Sequence, residues 1–214
     1  MSTHYEAVIF DLGGVVFPSP FEMFDAYDRD RGLPPGSVRG LIRTSSETGA
    51  WAAFERGEHT FESFVPALEA EAASGGFTLD ATALIGSIGG GRGARPEMLR
   101  AIKTIRERGY KTAALTNNWI APNGERAPGR FDDLVFDVVV ESAVEGIRKP
   151  DPRIYELVLE RLDAPAENAV FLDDLGINLK PARAMGMTTI KVVDVAAALT
   201  ELEQVLGFAL GGEG

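Results

Sequence analysis

Four groups of polar residues stand out because each comes shortly after an apolar run of the sequence. They are Asp11, Thr116-Asn117-Asn118, Lys149 and Asp173-Asp174. A carboxylate can act as a nucleophile, hydroxyl and amide groups can bind anionic oxygens, and a lysine can neutralise negative charge. Carboxylates can also hold a divalent metal ion. These residue types together indicate a reactive site.

Each group also has a purely structural interpretation when it is taken alone. Asp11 can be a turn residue, and Asp173-Asp174 can be an acidic pair at a helix N-terminus. Thr116-Asn117 can start an ordinary loop, and Lys149 can be solvated. If the groups lie together, however, several carboxylates near one another cost free energy unless a cation neutralises them. The pattern therefore favours a divalent metal ion at a shared site.

Composition excludes several classes of function. Lys and Arg number 21 against 32 for Asp and Glu, and a net charge of -11 disfavours nucleic acid and anionic membrane surfaces as partners. Cysteine is absent, which excludes thiol nucleophiles and thiolate metal sites. The two histidines are too few for a histidine metal site, and no serine-hydrolase elbow or P-loop motif occurs. The N-terminal apolar run has only four residues, so we expect a cytoplasmic protein.

The elements that must position the polar groups alternate between short β-rich runs and amphipathic helices. The predicted strands are residues 7–10, 112–115, 136–140, 169–172 and 188–192. Helices are predicted to begin at Pro96, after Asp151 and after Asp194. This alternation is typical of an α/β fold with a doubly wound parallel sheet. The carboxyl ends of parallel strands share one edge, so the polar groups are predicted to meet there.

Residues 18–90 do not show this alternation of strands and helices, because they carry helical patterns only. The patterns cover residues 21–31, 38–44, 51–56 and 61–73. We therefore predict an α/β core domain formed by 1–17 and 91–214, with 18–90 as a small inserted α-helical module. The glycine-rich residues 89–93 are interpreted as a hinge rather than a phosphate-binding loop, because no strand precedes them.

Four segments resemble the motifs of the haloacid dehalogenase superfamily, in order and in spacing. They are FDLGGVVF at 10–17, LTNNW at 115–119, GIRKPDPRIY at 146–155 and FLDDLGINLKPARAMGM at 171–187. Within the superfamily the sequence is most similar to the N-terminal phosphatase domain of soluble epoxide hydrolase and the N-terminal domain of acyl-CoA dehydrogenase family member ten. The resemblance implies a Rossmann-like core, with the helical module as a cap that closes over the site and selects the substrate.

The resemblance also implies a role for each polar group. Asp11 would be the nucleophile that forms an aspartyl-phosphate, and Lys149 would neutralise the developing charge. Thr116 would bind the phosphoryl oxygens, with Asn117 helping to fix the substrate.

The metal implied by the resemblance is Mg²⁺. Its ligands would come from the carboxylates and one backbone carbonyl, namely Asp11, Gly13, Asp173 and Asp174. Asn178 would support the Asp174 carboxylate or a metal-bound water. Which of Asp173 and Asp174 binds the metal directly stays open at this point.

One position departs from the family pattern. Phosphatases of the superfamily usually carry a second Asp two residues after the nucleophile, as general acid and base, and this chain has Gly13 there. The Gly13 carbonyl can still bind Mg²⁺, but a proton-transfer effect of typically about 10²- to 10⁴-fold is lost. We therefore expect slow hydrolysis of esters with poor leaving groups.

The expected function is that of a Mg²⁺-dependent phosphatase acting on a small phosphorylated metabolite, as a monomer or homodimer. The first alternative, raised by Gly13, is a non-catalytic protein that binds a phosphate ligand or a partner. The second is a haloacid dehalogenase, in which Asp11 attacks carbon and no metal is needed. Phe17, Trp51 and Phe54 are candidates for the pocket lining, although aromatic residues at helical spacing are more often core residues.

Overall fold

The computed structural model describes residues 4–44, 47–89, 93–121, 126–127 and 136–211. A parallel five-stranded sheet in the order β5-β2-β1-β6-β7 forms its centre. The strands of this sheet are β1 (Ala7–Phe10), β2 (Lys111–Thr116), β5 (Val138–Glu141), β6 (Ala169–Asp173) and β7 (Thr188–Lys191). Ile9 on β1 pairs with Ala113 on β2 and Phe171 on β6. The central strand β1 has no exposed residue, which explains why its sequence is entirely apolar.

Helices cover both faces of the sheet. Helices α6 (Pro96–Glu107) and α10 (Val195–Leu206) pack on the face to which Val8 and Phe10 point. Helices α8 (Pro152–Leu162) and α9 (Gly176–Ala184) pack on the opposite face. The predicted α/β fold with a doubly wound parallel sheet is confirmed.

The helix starts predicted from side-chain caps are also found. The Asp151 carboxylate accepts a hydrogen bond from the Arg153 amide, and Asp194 accepts one from the Ala197 amide. Each carboxylate satisfies a backbone N–H that has no partner inside the helix.

Residues between β1 and α6 form a bundle of helices with its own aromatic interior. The helices are α1 (Pro20–Asp30), α2 (Ser37–Thr44), α3 (Ala50–Glu55), α4 (Phe61–Ser74) and α5 (Ala81–Gly89). Phe54 and Phe64 stack at its centre, with ring centroids 4.0 Å apart. We call residues 20–89 the helical segment, of which residues 45–46 lie outside the described ranges.

Several elements differ from the sequence-based expectation. The predicted strand at 136–140 is wrong at its start, because the Asp137 carboxylate accepts hydrogen bonds from the amide and hydroxyl of Thr112. The sequence patterns do not predict helix α5, helix α7 (Ser142–Glu145) or an antiparallel pair of short strands, β3 (Trp119–Ile120) and β4 (Arg126–Ala127). Each is short or rich in residues with weak helical preference, so tertiary contacts decide it.

The expected domain boundary between residues 90 and 91 lies outside the described residues, as does most of the predicted glycine hinge. Within the ranges that are described, no helix is both long enough and apolar enough to cross a membrane.

Candidate active site

The polar groups that follow β1 and β6, together with Lys149, meet at the carboxyl edge of the sheet. One carboxylate oxygen from each of Asp11, Asp173 and Asp174 lies within 4.8 Å of the other two. The Lys149 ammonium is 2.9 Å from Asp11 Oδ1 and 2.7 Å from Asp173 Oδ2. Asp11, Lys149 and Asp173 are all buried. The structure thus brings two acids and a lysine into direct contact, with a third acid beside them.

The two oxygens of Asp11 have different surroundings. Oδ1 accepts a hydrogen bond of 2.7 Å from the Leu12 amide and also faces Lys149. Among the residues that the structure describes, none donates a hydrogen bond to Oδ2. One oxygen is therefore fixed, and the other is open to an incoming group.

Asp173 is surrounded by donors. Its Oδ1 accepts from the Leu175 amide at 2.8 Å, and its Oδ2 accepts from Lys149. The Asn178 side-chain amide lies 3.0 and 3.1 Å from the two oxygens. The expectation that Asn178 supports Asp174 is therefore wrong, because the first turn of α9 directs its side chain to Asp173. Tyr155 on α8 in turn donates to the Asn178 carbonyl at 2.7 Å and holds this turn in place.

Asp174 is the more open of the neighbouring acids. A single side chain, that of Ser19, donates to its Oδ2 at 3.3 Å in the part of the chain that the structure describes. Gly14, with a φ of +85°, also lies close to this carboxylate. A side chain at Gly14 would overlap the Asp174 carboxylate, so both the conformation and the space require glycine. The carboxylate oxygens of Asp174 are therefore available to bind a ligand.

Burial and the neighbouring charges together shift the pKa values of these groups. Burial would lower the pKa of Lys149, but Asp11 and Asp173 outweigh burial and raise that pKa above its usual value. Burial also raises the pKa of Asp11 well above its ordinary range, a shift that Lys149 opposes and Asp173 and Asp174 increase. For Asp174, burial and then Asp173 raise the pKa to about 6. One lysine therefore does not neutralise the acids around it.

A divalent metal ion fits this arrangement. Three carboxylates within 4.8 Å offer hard oxygen ligands of the kind that Mg²⁺ prefers. A bound cation would also remove the electrostatic cost that raises the pKa of Asp11 and Asp174. Asp173 already accepts from an amide, an ammonium and an asparagine, so Asp174 is better suited as the direct ligand.

Thr116 is the last residue of β2, and Asn117, which follows it, contacts the backbone of Lys149. Thr116 is buried, and its hydroxyl makes a long contact of 3.4 Å to the Asn117 carbonyl. The Asn117 side-chain amide donates to the Lys149 carbonyl at 3.0 Å, and its side-chain oxygen accepts from the Lys149 amide at 2.8 Å. Asn117 thus fixes the backbone of Lys149, and its direct contact with a substrate stays a prediction.

The aromatic candidates for the pocket lining do not line an open site. Trp51 and Phe54 are 5% and 1% exposed, in the interior of the helical segment. Phe17 packs against the sheet cluster that contains Phe10. Trp51 and Phe54 are therefore core residues, whereas Phe17 is only partly buried and its place in a pocket stays a prediction.

Asn118, one of the polar residues that follow β2, has partners that the sequence did not predict. The side chain of Asn118, which is buried, donates to Glu141 at 2.7 Å, and its backbone amide donates to the Ser142 hydroxyl at 2.9 Å. Sequence reasoning missed Ser19 and Glu55, because no motif assigns them to the site, whereas Arg148 lies in the GIRKPDPRIY segment at 146–155. No short motif connects Glu55 to Arg148, since 93 positions separate them and only the folded chain brings them together.

Comparison with known proteins identifies the family of this chain. A family model described as haloacid dehalogenase-like hydrolase matches residues 5–186. The chain belongs to that family. It is a haloacid dehalogenase-like hydrolase, as its four motifs predicted.

Related proteins support the assignment over the length of the chain. Acyl-CoA dehydrogenase family member 10 from Mus musculus is 41% identical, with 96% of this chain and 20% of that protein covered. Bifunctional epoxide hydrolase 2 from Sus scrofa is 35% identical, covering 95% and 39%. Sesquiterpene phosphatase astK from Aspergillus oryzae is 30% identical, covering 97% and 100%. The chain therefore spans about one fifth and two fifths of the first two relatives, and all of the third.

Solved structures show the same fold. A predicted HAD-like family hydrolase from Porphyromonas gingivalis has a TM-score of 0.62 at 20% identity, covering 92% of this chain and 97% of that one. The HAD family enzyme bt-2542 from Bacteroides thetaiotaomicron, in complex with magnesium and inorganic phosphate, has a TM-score of 0.59 at 21% identity, covering 87% and 93%. At this identity the similarity concerns the fold alone.

Proposed function

We propose that the chain is a Mg²⁺-dependent phosphatase that hydrolyses a small phosphoric monoester through an aspartyl-phosphate on Asp11. The observation that carries this proposal is the group of three carboxylates within 4.8 Å beside one buried lysine. Asp11, the Gly13 carbonyl, Asp174 and the adjacent Asp173 would hold the metal. The chemistry that Mg²⁺ supplies when bound is neutralisation of the phosphoryl oxygens and of these carboxylates.

The first step uses the oxygen of Asp11 that has no hydrogen-bond donor among the described residues. Oδ2 attacks phosphorus, a P–O bond to Asp11 forms, and the bond to the leaving oxygen breaks. The Leu12 amide and Lys149 hold the other oxygen, so the carboxylate cannot rotate away. The Thr116 hydroxyl and the Lys149 ammonium stabilise the charge on the phosphoryl oxygens.

The second step regenerates the carboxylate. Water attacks phosphorus, the bond between phosphorus and Asp11 breaks, and inorganic phosphate leaves with the added oxygen. Because Gly13 offers no side chain, the leaving alkoxide departs with little protonation and takes its proton from bulk solvent afterwards, and bulk solvent accepts the proton of the attacking water. Esters whose leaving groups need little protonation should therefore react best.

The relatives suggest which substrates to try first. One relative is named a sesquiterpene phosphatase. Another, 29% identical over 98 residues, is named a glyceraldehyde 3-phosphate phosphatase. A substrate panel should therefore include both apolar prenyl phosphates and small sugar phosphates.

The test is hydrolysis of p-nitrophenyl phosphate by the purified chain with Mg²⁺ or with EDTA. We expect turnover that requires Mg²⁺ and is lost in Asp11→Asn, which keeps the shape of the side chain but removes the nucleophile. Asp163→Asn is the matched control, because its side chain is fully exposed and the same charge is removed. Equal turnover in Asp11→Asn and the control would contradict the mechanism.

The same experiment separates the alternatives. A non-catalytic protein, the alternative raised by Gly13, would bind inorganic phosphate but release no nitrophenol. A dehalogenase would release halide from a 2-haloacid in EDTA. The acidic pair Asp173-Asp174 weighs against the dehalogenase, because attack on carbon needs no metal.

A further inference from the structure

We call the five-stranded sheet, with the helices and loops that pack on it, the sheet domain. A buried ion pair next to Lys149 joins the helical segment to this sheet domain. Glu55, the last residue of α3, is 7% exposed. Its Oε2 lies 2.8 Å from Arg148 Nη2, and its Oε1 accepts from the Trp51 indole N–H at 3.0 Å. The carboxylate therefore binds one partner in the helical segment and one in the sheet domain.

The two parts of the chain are in close contact around this pair. A side chain at Gly57, which has a φ of +70°, would stand 2.5 Å from the Ala143 carbonyl oxygen. The Trp119 ring packs 5.6 Å from Trp51 and 5.9 Å from Phe54, between ring centroids. We call this contact the seam, formed by Trp51, Glu55 and Gly57 on one side and Trp119, Ala143 and Arg148 on the other.

The seam is connected to the catalytic centre through the backbone. Arg148 directly precedes Lys149, whose amide and carbonyl are both bound by Asn117. Asn117 therefore fixes this short loop from the end of β2, while Glu55 fixes it from the helical segment. Burial raises the pKa of Glu55, and Arg148 and the Trp51 N–H oppose that shift. Losing Arg148 would leave a buried carboxylate without its cation, which is costly.

We propose that Glu55 is a positioning residue of the catalytic centre, which is formed by Asp11, Lys149, Asp173 and Asp174. Its ion pair with Arg148 holds the helical segment against the loop between α7 and α8, which carries Lys149. The inference rests on the proposed function, since it concerns how Lys149 is held for phosphoryl transfer. When the pair is broken, the helical segment separates from the loop, and the Lys149 ammonium is less well placed between Asp11 and Asp173.

The kinetic test compares Glu55→Gln, Arg148→Met and the double variant with the wild type. We expect each single change to lower kcat for p-nitrophenyl phosphate about tenfold to a hundredfold, with KM changed little, because misplacing a charge raises the barrier more than it weakens binding. The double variant should lose no more than the worse single variant, because the two side chains act as one unit.

Arg56→Gln is the matched control. Arg56 adjoins Glu55 and forms its ion pair with Glu58, inside the helical segment. Its loss should leave kcat at the wild-type value. An equal fall in kcat in Arg56→Gln, or additive losses in the double variant, would overturn the proposal.

Two readouts do not depend on turnover. Trp51 and Trp119 are the two tryptophans of the chain and both lie in the seam, so indole emission reports on it. Glu55→Gln should increase acrylamide quenching of that emission, and it should speed chemical labelling of the Lys149 amine relative to exposed Lys103. Wild-type quenching and wild-type labelling in Glu55→Gln would refute the positioning role. An inactive wild-type chain would instead refute the proposed function, and the labelling would still decide this inference.

Discussion

Two neighbouring residues, Arg148 and Lys149, form buried ion pairs that differ in the number of acids around the cation. In the seam, Arg148 pairs with Glu55, which also accepts an indole hydrogen bond. In the catalytic centre, one lysine lies between Asp11 and Asp173, with Asp174 close by. The Arg148–Glu55 pair is itself balanced in charge. Among the described residues the centre holds three acids and one lysine, and burial together with the neighbouring acids raises the pKa of Asp11 and Asp174.

This contrast separates an ion pair whose charges balance from a cluster that is left with an excess of acids. A balanced buried pair adds little stability compared with an apolar pair of the same shape, although removing one partner is costly. An unbalanced cluster costs free energy unless a cation or a proton neutralises the excess acids. Burial alone does not distinguish the two, because Lys149 and Glu55 are both buried. The ratio of acids to cations among the described residues does distinguish the seam from the centre.

The largest effect should come from removing the cation of the centre. Lys149→Met should lower kcat about 10²- to 10³-fold, because charge that develops on the phosphoryl oxygens loses its fixed partner. Initial rates at saturating Mg²⁺ measure the loss. Lys103→Met is the control, since that side chain is mostly exposed on α6. Full activity in Lys149→Met would show that the centre needs no protein cation.

The next effect tests which acid holds the metal. Asp174→Ala should raise the Mg²⁺ concentration for half-maximal activity about tenfold to a hundredfold, because a direct anionic ligand is lost. Thr116→Ala should lower kcat and leave that midpoint near its wild-type value, because a hydroxyl on the phosphate is not a metal ligand. Equal midpoints in the two variants would contradict the assignment of Asp174.

A smaller effect follows from adding an acid to the centre. The φ of Gly13 is outside the left-handed region, and an added Cβ would lie 3.3 Å from Pro20 Cδ, so Gly13→Asp needs a shift of a few tenths of an ångström. We expect this variant to gain about tenfold on alkyl phosphates relative to aryl phosphates, because it supplies a general acid.

The wild type provides the companion measurement for Gly13. Its rate should depend steeply on the pKa of the leaving group, with aryl, acyl and anomeric sugar phosphates ahead of glycerol phosphate. A flat dependence, measured with chemistry rate-limiting, would mean that another residue or a water supplies the proton.

The smallest effect is on stability in the absence of metal. The folded-state pKa of Asp174 is about 6, above its ordinary value of 3.8, so the folded chain retains a proton that the unfolded chain has released. Stability in EDTA should therefore fall as pH rises from about 4 to about 6, by about 1–2 kcal/mol for this partly buried group.

Urea unfolding at pH 4.5 and pH 7 measures this change. Asp174→Asn should lose less stability over the interval than the wild type, whereas Asp163→Asn should behave like the wild type because its side chain is exposed. Added Mg²⁺ should reduce the loss, because it stabilises the ionised carboxylates. Identical slopes for the wild type and Asp174→Asn would show that Asp174 ionises normally.

Much of the sheet and of the catalytic centre follows from the sequence. Apolar runs with polar ends predict parallel strands, and parallel strands end at one edge, so residue order alone groups Asp11, Asp173 and Lys149. These inferences succeed because they depend on local periodicity and on a general property of parallel sheets. The four motifs then assign the family, which the family model confirms.

Only the tertiary structure decides which partner each polar group takes. The turn of α9 directs Asn178 to Asp173, although spacing along the helix favoured Asp174. Asn117 binds the backbone of Lys149. Glu55 meets Arg148 because α3 packs beside α7 and the loop that follows it. Hydrogen bonds and ion pairs depend on distances of a few ångströms between segments far apart in sequence, and the order of residues along one chain does not determine such distances.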